Sequence, residues 1–346
     1  MAAMDSRRAT IVDVARAAGV SKSLVSLAFH GGGRIAEDTR QRILAVADQL
    51  GYRRNAVARS LVRGRTGLLA VIVTDFGNPY HADLARHIEA AADQVQVTAI
   101  TLNGRRDPRR LTELLDLALQ LQVDALVVSS SWIPAEAISA AARAKPLAVI
   151  ARLPADAVDR GGLGFDTVHN DDERGTAKAL EHLRTLGHRR IGFLAASSRP
   201  AQLARREGYR AAMRAAGSGR FIEEFSAGRP RDAVAGLIER LRAADPPTAV
   251  FASNDEVAIE FLSAAADAGI DVPGDVSVVG YDNTTLAQRW RPGLTSISQP
   301  LEQMAARAVS LVASRMGGRG DDLHEVLMGE LVVRGTTARP RHDASR

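Results

Sequence analysis

Apolar side chains in the first fifty residues recur at the three- and four-residue spacing of amphipathic helices. This spacing predicts three short helices, at residues 11–18, 21–30 and 36–50. Thr10 is a candidate N-cap for the first helix, and Asp13 three residues later completes a variant of the capping box. Three helices of this size give just enough core for a small domain.

Gly19 separates the first two helices, and its permissive backbone suits a tight turn. Ser21 is placed to cap the second helix, whose Leu24, Val25 and Ala28 face inward. Two short helices joined by a glycine turn are typical of a helix-turn-helix, a motif that reads DNA in the major groove.

From residue 68 onward, continuous apolar runs alternate with amphipathic segments. The runs are LLAVIVT, VTAITL, ALVVSS, LAVIA, RRIGFLA, AVFAS and VSVVGY. Buried parallel strands have this continuous apolar character, and the helical segments between them predict right-handed crossovers. The sequence therefore predicts a doubly wound α/β architecture for this larger part of the chain.

Positive charge is concentrated at the N-terminal end. Residues 1–65 hold twelve Arg or Lys against five Asp or Glu, whereas the whole chain of 346 residues has a net charge of +5. A basic head on a slightly acidic body is typical of a DNA-binding domain joined to a sensing or assembly domain. The chain has no cysteine, no signal-peptide pattern and no long apolar run, so we expect a cytoplasmic protein that does not enter a membrane.

The segment 10–73 resembles the opening of the lac repressor (LacI/GalR) family of regulators. The resemblance continues, in order, through NPYHADL, LRTLGHRRIGFLA, AVFASNDEVAIEFL, DVPGDVSVVGYDN and LTSISQP. It implies an N-terminal three-helix helix-turn-helix domain plus a hinge helix. A periplasmic-binding-protein-like sensor of two doubly wound parallel-sheet subdomains would follow.

The resemblance also implies domain boundaries. They are a DNA-binding domain at 1–54, a hinge helix and linker at 55–66, a ligand-sensing and dimerisation domain at 67–339 and a tail at 340–346. Within the sensor, subdomain one would take 67–165 with 295–326, and subdomain two would take 166–294 with 327–339.

In the resembled family, the second helix lies in the major groove of an operator. Lys22 and Ser23 are then the expected readers of base edges, while Ser21 and Ser26 suit phosphates. Family members typically carry an arginine where this chain has Leu27. We therefore expect an apolar contact to a thymine methyl, or a lost base contact, at that position.

The end of this helix and the segment after the third helix also carry expected DNA contacts. His30 stands where relatives typically have an asparagine. Residues 55–62 match the family's hinge helix, which pairs with its copy in a dimer and enters the minor groove. Asn55 begins this segment, Ala58 is small enough to approach the groove floor, and Leu61 matches a leucine that wedges between base pairs. Eight residues are too few to be helical unaided in water, so this segment should fold only against a partner surface.

Ligands of doubly wound folds bind at the carboxyl ends of strands, in the crevice between two halves. The candidate effector-binding residues are Asp75, Phe76, Tyr80, His81, Trp132, Arg152, Arg199, Phe225, Asn254, Asp282 and Gln299. Tyr80 and Trp132 offer rings that suit stacking on a sugar or a base. Carboxylate and guanidinium groups facing one cleft suit a polyhydroxylated or partly anionic small molecule, and we expect a carbohydrate.

Enzymatic interpretations are weaker. The sequence HGGG at His30 matches an esterase oxyanion-hole motif, but the chain has no G-x-S-x-G, and His30 ends a helix. The sequence GGLG at 161–164 lacks the context of a dinucleotide site, and no Walker or H-E-x-x-H sequence occurs. We expect no catalytic residue, no metal site and no cofactor.

Two hypotheses from different classes remain open, a ligand-responsive regulator and a small-molecule-binding module of transport type that shares the sensor fold. The basic three-helix head favours the regulator. An effector-independent regulator and a sugar-processing enzyme are further alternatives. We expect a repressor that binds a near-palindromic, double-stranded DNA operator as a homodimer under the control of a small molecule.

Overall fold

The structure is a computed structural model that describes residues 9–30, 35–53, 64–154, 162–195, 197–227 and 229–341. Contacts along the chain divide it into two units, Met1–Thr66 and Gly67–Arg346. The two units are built in different ways, the first from helices and the second from two sheets covered by helices.

The described part of the first unit contains the three predicted helices. They are α1 (Ile11–Ala18), α2 (Lys22–His30) and α3 (Glu37–Gln49). The capping box is present, because the Thr10 side chain accepts from the Asp13 N–H while the Thr10 N–H donates to the Asp13 carboxylate at 2.9 Å. Gly19 ends α1 with a φ of +65°, as the turn requires. The small core consists of Val14, Ala15, Ala18, Val25, Ala28, Ile43 and Ala47.

Two six-stranded sheets form the centre of the second unit, within the residues that the structure describes. The first sheet has the order β11 (His324–Leu327), β5 (Asp166–Asn170), β4 (Leu147–Ile150), β3 (Ala125–Ser129), β1 (Leu68–Val73), β2 (Thr98–Asn103), and all its pairs are parallel. The second has the order β12 (Glu330–Val332), β10 (Thr295–Ser298), β9 (Ser277–Asp282), β8 (Ala249–Ala252), β6 (Ile191–Ala195), β7 (Glu223–Ser226). Only β12 runs antiparallel to its neighbour among these described strands.

Helices cover both faces of each sheet, which confirms the predicted doubly wound architecture. They are α4 (Pro79–Gln94), α5 (Pro108–Gln120), α6 (Ala135–Ala144), α7 (Asp172–Thr185), α8 (Pro200–Ala215), α9 (Pro230–Leu241), α10 (Asp255–Asp267), α11 (Thr285–Arg289) and α12 (Leu301–Met316), with a short 3₁₀ turn at Gly219–Phe221. Helices α4 and α12 pack on one face of the first sheet and α5 and α6 on the other. Helices α7 and α8 cover one face of the second sheet, and α9 and α10 cover the other. None of the helices described here is both long and apolar enough to cross a membrane.

The described chain passes between the two sheets after β5, after β10 and after β11. This corrects the predicted subdomain boundaries, which assigned residues 166–170 to subdomain two and 295–298 to subdomain one. In the structure, Val168 pairs with Ile150 in the first sheet, and Ile297 pairs with Tyr281 in the second. Strand pattern indicates where a strand lies along the chain, but its pairing partner is set by tertiary packing.

Candidate functional site

A cavity in the second unit is lined by residues that belong to both sheets. It lies at the carboxyl ends of β1, β3, β4 and β5 of the first sheet and of β6, β8, β9 and β10 of the second. The predicted effector-binding residues that line it are Tyr80, His81, Arg152, Arg199, Asn254, Asp282 and Gln299. This position, at the carboxyl ends of parallel strands and between two halves, is that of a small-molecule site in an α/β protein.

Arg205 is the centre of a buried ion-pair network in the cavity wall. Its Nε lies 2.8 Å from Asp172 Oδ1 and its Nη1 lies 3.6 Å from Asp282 Oδ1, and none of the three side chains is more than 6% exposed. The guanidinium also donates to the Ser253 carbonyl at 2.6 Å and lies 3.6 Å from the centre of the Tyr281 ring. Buried charges are tolerated when they are paired and hydrogen-bonded, so this network holds two carboxylates at fixed positions beside the cavity.

Burial and pairing act in opposite directions on the pKa values of this network. Burial raises the pKa of Asp282 above its usual range, and the nearby Arg205 only partly offsets that effect. The pKa of Asp172 is raised for the same reason. Burial alone would lower the pKa of Arg205, but the adjacent carboxylates raise it above its ordinary value. The arginine therefore stays charged, while either carboxyl takes up a proton more readily than an exposed aspartate would.

The loop that presents Asp282 has an uncommon backbone. Asp282 has a φ of +109° and Asn283 a φ of +55°, values that residues other than glycine rarely adopt. Asp255 holds this loop in place, because its carboxylate accepts from the Thr284 N–H and from the Ser296 hydroxyl, each at 2.7 Å. Asp255 is therefore a positioning residue, and backbone strain of this kind is concentrated at ligand sites.

Protein contacts also orient three other predicted residues. Gln299 Nε2 donates to Asp282 Oδ1 at 2.6 Å. Asn254 is the N-cap of α10, and its side-chain oxygen accepts a backbone N–H at 3.1 Å. Arg152 donates to both carboxylate oxygens of Glu173, at 2.7 and 2.8 Å. Part of the hydrogen-bonding capacity of each side chain is thus already used within the protein.

Tyr80 and His81 lie in the first turn of α4, which Asn78 caps by accepting from the Tyr80 N–H at 3.0 Å. The Nδ1 of His81 lies 3.3 Å from the Ser129 hydroxyl, and burial lowers the pKa of His81 to about 4. Tyr80 packs against the core of the first sheet, and burial raises the pKa of its hydroxyl. Both rings are therefore uncharged at neutral pH.

The remaining predicted effector residues do not line the cavity; they are Asp75, Phe76, Trp132 and Phe225. The Asp75 carboxylate accepts from Arg106 Nε at 2.9 Å, and Phe76 is 40% exposed at the surface. Both follow β1, but they lie in a turn that points away from the cavity, which the chain reaches again at Asn78 and Tyr80.

Trp132 and Phe225 differ from the prediction for another reason, because both rings pack against other groups of the protein. Trp132 packs partly on the core of the first sheet, and the Arg199 guanidinium lies 3.9 Å from its ring centre, so a side chain occupies the face predicted for a ligand. Phe225 lies in β7 at the edge of the second sheet and packs against the core there. Side chains alternate between the two faces of a strand, and this position faces the core.

Sequence reasoning missed Arg205, Asp172 and Asn170, which also line the cavity. A signal for Arg205 was present, because it shares the buried stripe of α8 with Tyr209 and Met213 at four-residue spacing. An arginine on such a stripe requires a buried partner. Asp172 and Asn170 gave no comparable signal, since their burial depends on how the two sheets face each other. Among the described residues, no three His, Asp or Glu side chains are arranged to hold a metal ion.

Helix α2 presents the predicted DNA-reading residues in the first unit. Ser21, Lys22 and Ser23 are exposed, whereas Ser26 and Leu27 are half-buried. Ser21 also caps the helix, because its hydroxyl accepts from the Leu24 N–H at 3.2 Å. An exposed lysine in a first turn without acidic residues provides positive charge where the helix dipole is also positive.

Part of the predicted DNA contact surface lies outside the described residues. Asn55, Ala58 and Leu61 fall in the range 54–63, and the side chain of His30 is likewise not described. The predicted hinge helix therefore stays a prediction.

Comparisons with known proteins match both units. The family described as bacterial regulatory proteins, lacI family, matches residues 10–55, and a periplasmic binding protein-like domain matches 180–337. The HTH-type transcriptional regulator DegA of Bacillus subtilis (strain 168) is 34% identical over 96% of this chain and 98% of its own length. The HTH-type transcriptional repressor PurR of Photobacterium profundum is 31% identical over 94% of this chain and 98% of its own.

Solved structures agree with these sequence matches. A LacI transcriptional regulator from a Rhodococcus species superposes with a TM-score of 0.71 at 30% identity, covering 80% of this chain and 100% of that one. A LacI family regulator from Enterococcus faecium with bound ribose gives a TM-score of 0.68 at 26% identity, covering 79% and 99%. The relatives are transcriptional regulators rather than enzymes. With both parts matched in the same order and over nearly the full length, the chain belongs to the lacI family of bacterial regulatory proteins.

Proposed function

We propose that this chain is a transcriptional repressor whose affinity for its operator is controlled by a small molecule bound in the cavity. The observation that carries the proposal is one chain with both a helix-turn-helix unit and a charged cavity at the strand ends of two sheets. A binding module of transport type would need only the second. The exposed polar start of α2 gives the first unit a surface for DNA.

The proposed DNA contacts divide by chemistry. Lys22 and Ser23 contact base edges in the major groove, while the Ser21 and Ser26 hydroxyls contact phosphates. Leu27 contacts a thymine methyl in place of the arginine–guanine pair common in the family. A homodimer places two such helices in the half-sites of a near-palindrome, with the 55–62 segments meeting in the minor groove at its centre.

The proposed effector is a polyhydroxylated small molecule, of which a carbohydrate is the leading class. Asp282 and Asp172 supply acceptors for hydroxyl groups, and Arg205 supplies donors beside them. The related regulator from Enterococcus faecium that was solved with ribose supports this class.

Coupling between cavity and DNA would use the segments that pass between the two sheets. Contacts across the cleft join the sheets: Asp83 on α4 accepts from the Thr285 N–H and hydroxyl of α11, each at 2.8 Å, and Arg106 pairs with Glu256 of α10. A ligand that closes or rotates the two halves must keep or exchange these contacts. A difference of about 1–3 kcal/mol between the two states changes DNA affinity about 5- to 150-fold.

Selection of DNA from a random pool by the full chain tests the DNA half of the proposal. Enriched sequences should contain two inverted half-sites, and Lys22→Ala should weaken binding to them while Lys145→Ala, a lysine of the second unit, should not. Enrichment of unrelated sequences would contradict a sequence-specific repressor. The effector half is tested by screening sugars for an increase in Tm, since a ligand at 100 times its Kd stabilises a protein by about 2.7 kcal/mol.

A further inference from the structure

Arg199 differs from the other arginines that line the cavity. It precedes α8, and its guanidinium stacks 3.9 Å from the centre of the Trp132 ring. Trp132 follows a strand of the first sheet and Arg199 follows a strand of the second, so the stacked pair joins the two sides of the cleft. Stacking on an aromatic ring uses the face of a guanidinium and leaves the N–H groups on its edge available.

The other cavity arginines are already neutralised. Arg205 is paired with Asp172 and Asp282, and Arg152 makes a bidentate pair with Glu173. Among the described residues, no carboxylate lies within ion-pair distance of Arg199, and its side chain makes no hydrogen bond there. Arg199 therefore brings an uncompensated positive charge, with donors in a planar fork that matches a carboxylate or a phosphate.

The start of α8 adds to this positive character. The helix has 16 residues, its N-terminus has no side-chain cap, and its first turn contains no acidic residue. Free N–H groups and the helix dipole favour an anion at such an end.

Two side-chain oxygens in the cavity wall accept no hydrogen bond from the protein. Asn170 is 3% exposed, and its side-chain oxygen is buried without a hydrogen-bond partner. The side-chain oxygen of Gln202, in the first turn of α8, is also buried without a partner. Unpaired buried acceptors are costly, and both of these oxygens belong to side chains of the cavity wall.

We propose that the cavity takes an anionic polyol, a sugar phosphate or a sugar acid, with its anionic group on Arg199 and its hydroxyl groups beside Asp282. Trp132 is then a positioning residue that holds the guanidinium toward the cavity. This inference rests on the proposed function and narrows the ligand class of the same site.

The test measures binding of matched ligand series to the full chain by calorimetry. One series is glucose, glucose 6-phosphate and gluconate, and the other is ribose, ribose 5-phosphate and ribonate. In at least one series, an anionic member should bind about tenfold or more tightly than its neutral parent, the range of a charge-assisted hydrogen bond to a charged group. The phosphate and carboxylate members show which anion the site prefers.

Arg199→Gln should bring the ratio of anion affinity to neutral-parent affinity close to one, while Arg199→Lys should retain part of the preference because the charge remains. Arg220→Gln is the matched control, since Arg220 also lies over an aromatic ring, that of Phe221, but does not line the cavity. Arg220→Gln should prefer the anionic ligand over its neutral parent as strongly as the unmodified chain does. An unchanged Tm without ligand verifies the fold of each variant.

The possible failures are distinguishable. Neutral parents that bind as tightly as their anions overturn the anionic class and leave the proposed function standing. An anion preference that survives in Arg199→Gln overturns the role of Arg199. If no member of either series binds, the anionic polyol is overturned, whereas the proposed function stands if the separate Tm screen of sugars finds a neutral ligand.

Discussion

The two units hold their functional side chains in opposite ways. The candidate DNA-reading residues Lys22 and Ser23 lie exposed on α2, above a small core of short side chains. The candidate effector groups Asp282 and Arg205 are buried and paired with each other at 3.6 Å. An exposed DNA-contacting side chain needs only a correctly formed helix to present it. A buried charged side chain also needs its ion-pair partners, because without them the fold is destabilised. Substitutions should therefore separate stability from binding in the first unit and combine them in the second.

The largest effect is expected at Arg205. Arg205→Met leaves Asp172 and Asp282 buried without their cation, which should lower the free energy of unfolding of the second unit by about 3–5 kcal/mol. Arg206→Met is the matched control, because the next residue pairs with Glu224 at a more exposed position and should cost about 1 kcal/mol or less. Urea unfolding followed by tryptophan fluorescence reports the second unit alone, since both tryptophans lie there. Equal losses in the two variants would contradict the buried network.

A substitution in the small core of the first unit should affect DNA binding and leave ligand binding in the second unit unchanged. Ile43 is fully buried between the three helices, so Ile43→Ala should destabilise this unit by about 2–5 kcal/mol and abolish DNA binding. Ligand binding in the second unit should not change. Leu50→Ala, at a 41% exposed position at the end of the same helix, should stay within about 0.5 kcal/mol. DNA binding measured by fluorescence anisotropy and ligand binding measured by calorimetry separate these outcomes.

A pH effect of intermediate size is expected in the second unit. Burial lowers the pKa of His81 to about 4 in the folded chain, against about 6.5 in the unfolded chain. The neutral ring is therefore favoured by folding, and its stabilising contribution, full above pH 6.5, is lost as the pH falls toward 4. Between pH 7.5 and 4, His81→Asn should lose about 3 kcal/mol less of its free energy of unfolding than the unmodified chain loses. Parallel stability curves would show that His81 does not titrate in this way.

The smallest effect is expected at the first helix. Thr10→Ala removes the hydroxyl side of the capping box and should destabilise the first unit by about 1 kcal/mol. Thr10→Ser retains the hydroxyl and should restore most of that stability. The measurement is thermal unfolding of the first unit, followed by circular dichroism. Equal unfolding temperatures for Thr10→Ala and Thr10→Ser would contradict a role for the cap.

Features set by nearby residues could be predicted from the sequence, whereas features set by distant partners could not. The bounds of α1, its capping box and the turn at Gly19 depend on neighbours within a few residues, and all were predicted. The buried strands were also predicted, because a continuous apolar run is a local pattern. The short polar strands β5, β10 and β12 carry no such pattern, and their places in the two sheets depend on distant partners.

The cavity was most predictable where a residue ends a strand or directly follows one. Asp282 and Gln299 satisfy this rule and line the cavity. Phe225 also lies at the end of a strand, but the alternation of β7 places its ring against the core. Arg205 lies within a helix, so its role depends on two carboxylates that are distant in the sequence.

The central claim is that ligand binding in the cavity controls DNA binding. The most direct test measures the affinity of the full chain for its selected operator by fluorescence anisotropy, with and without a saturating ligand found by thermal shift. The account predicts that the ligand changes operator affinity about fivefold or more, and that Asp282→Asn binds the same operator with no such response. An operator affinity that is the same with and without a bound ligand would contradict it.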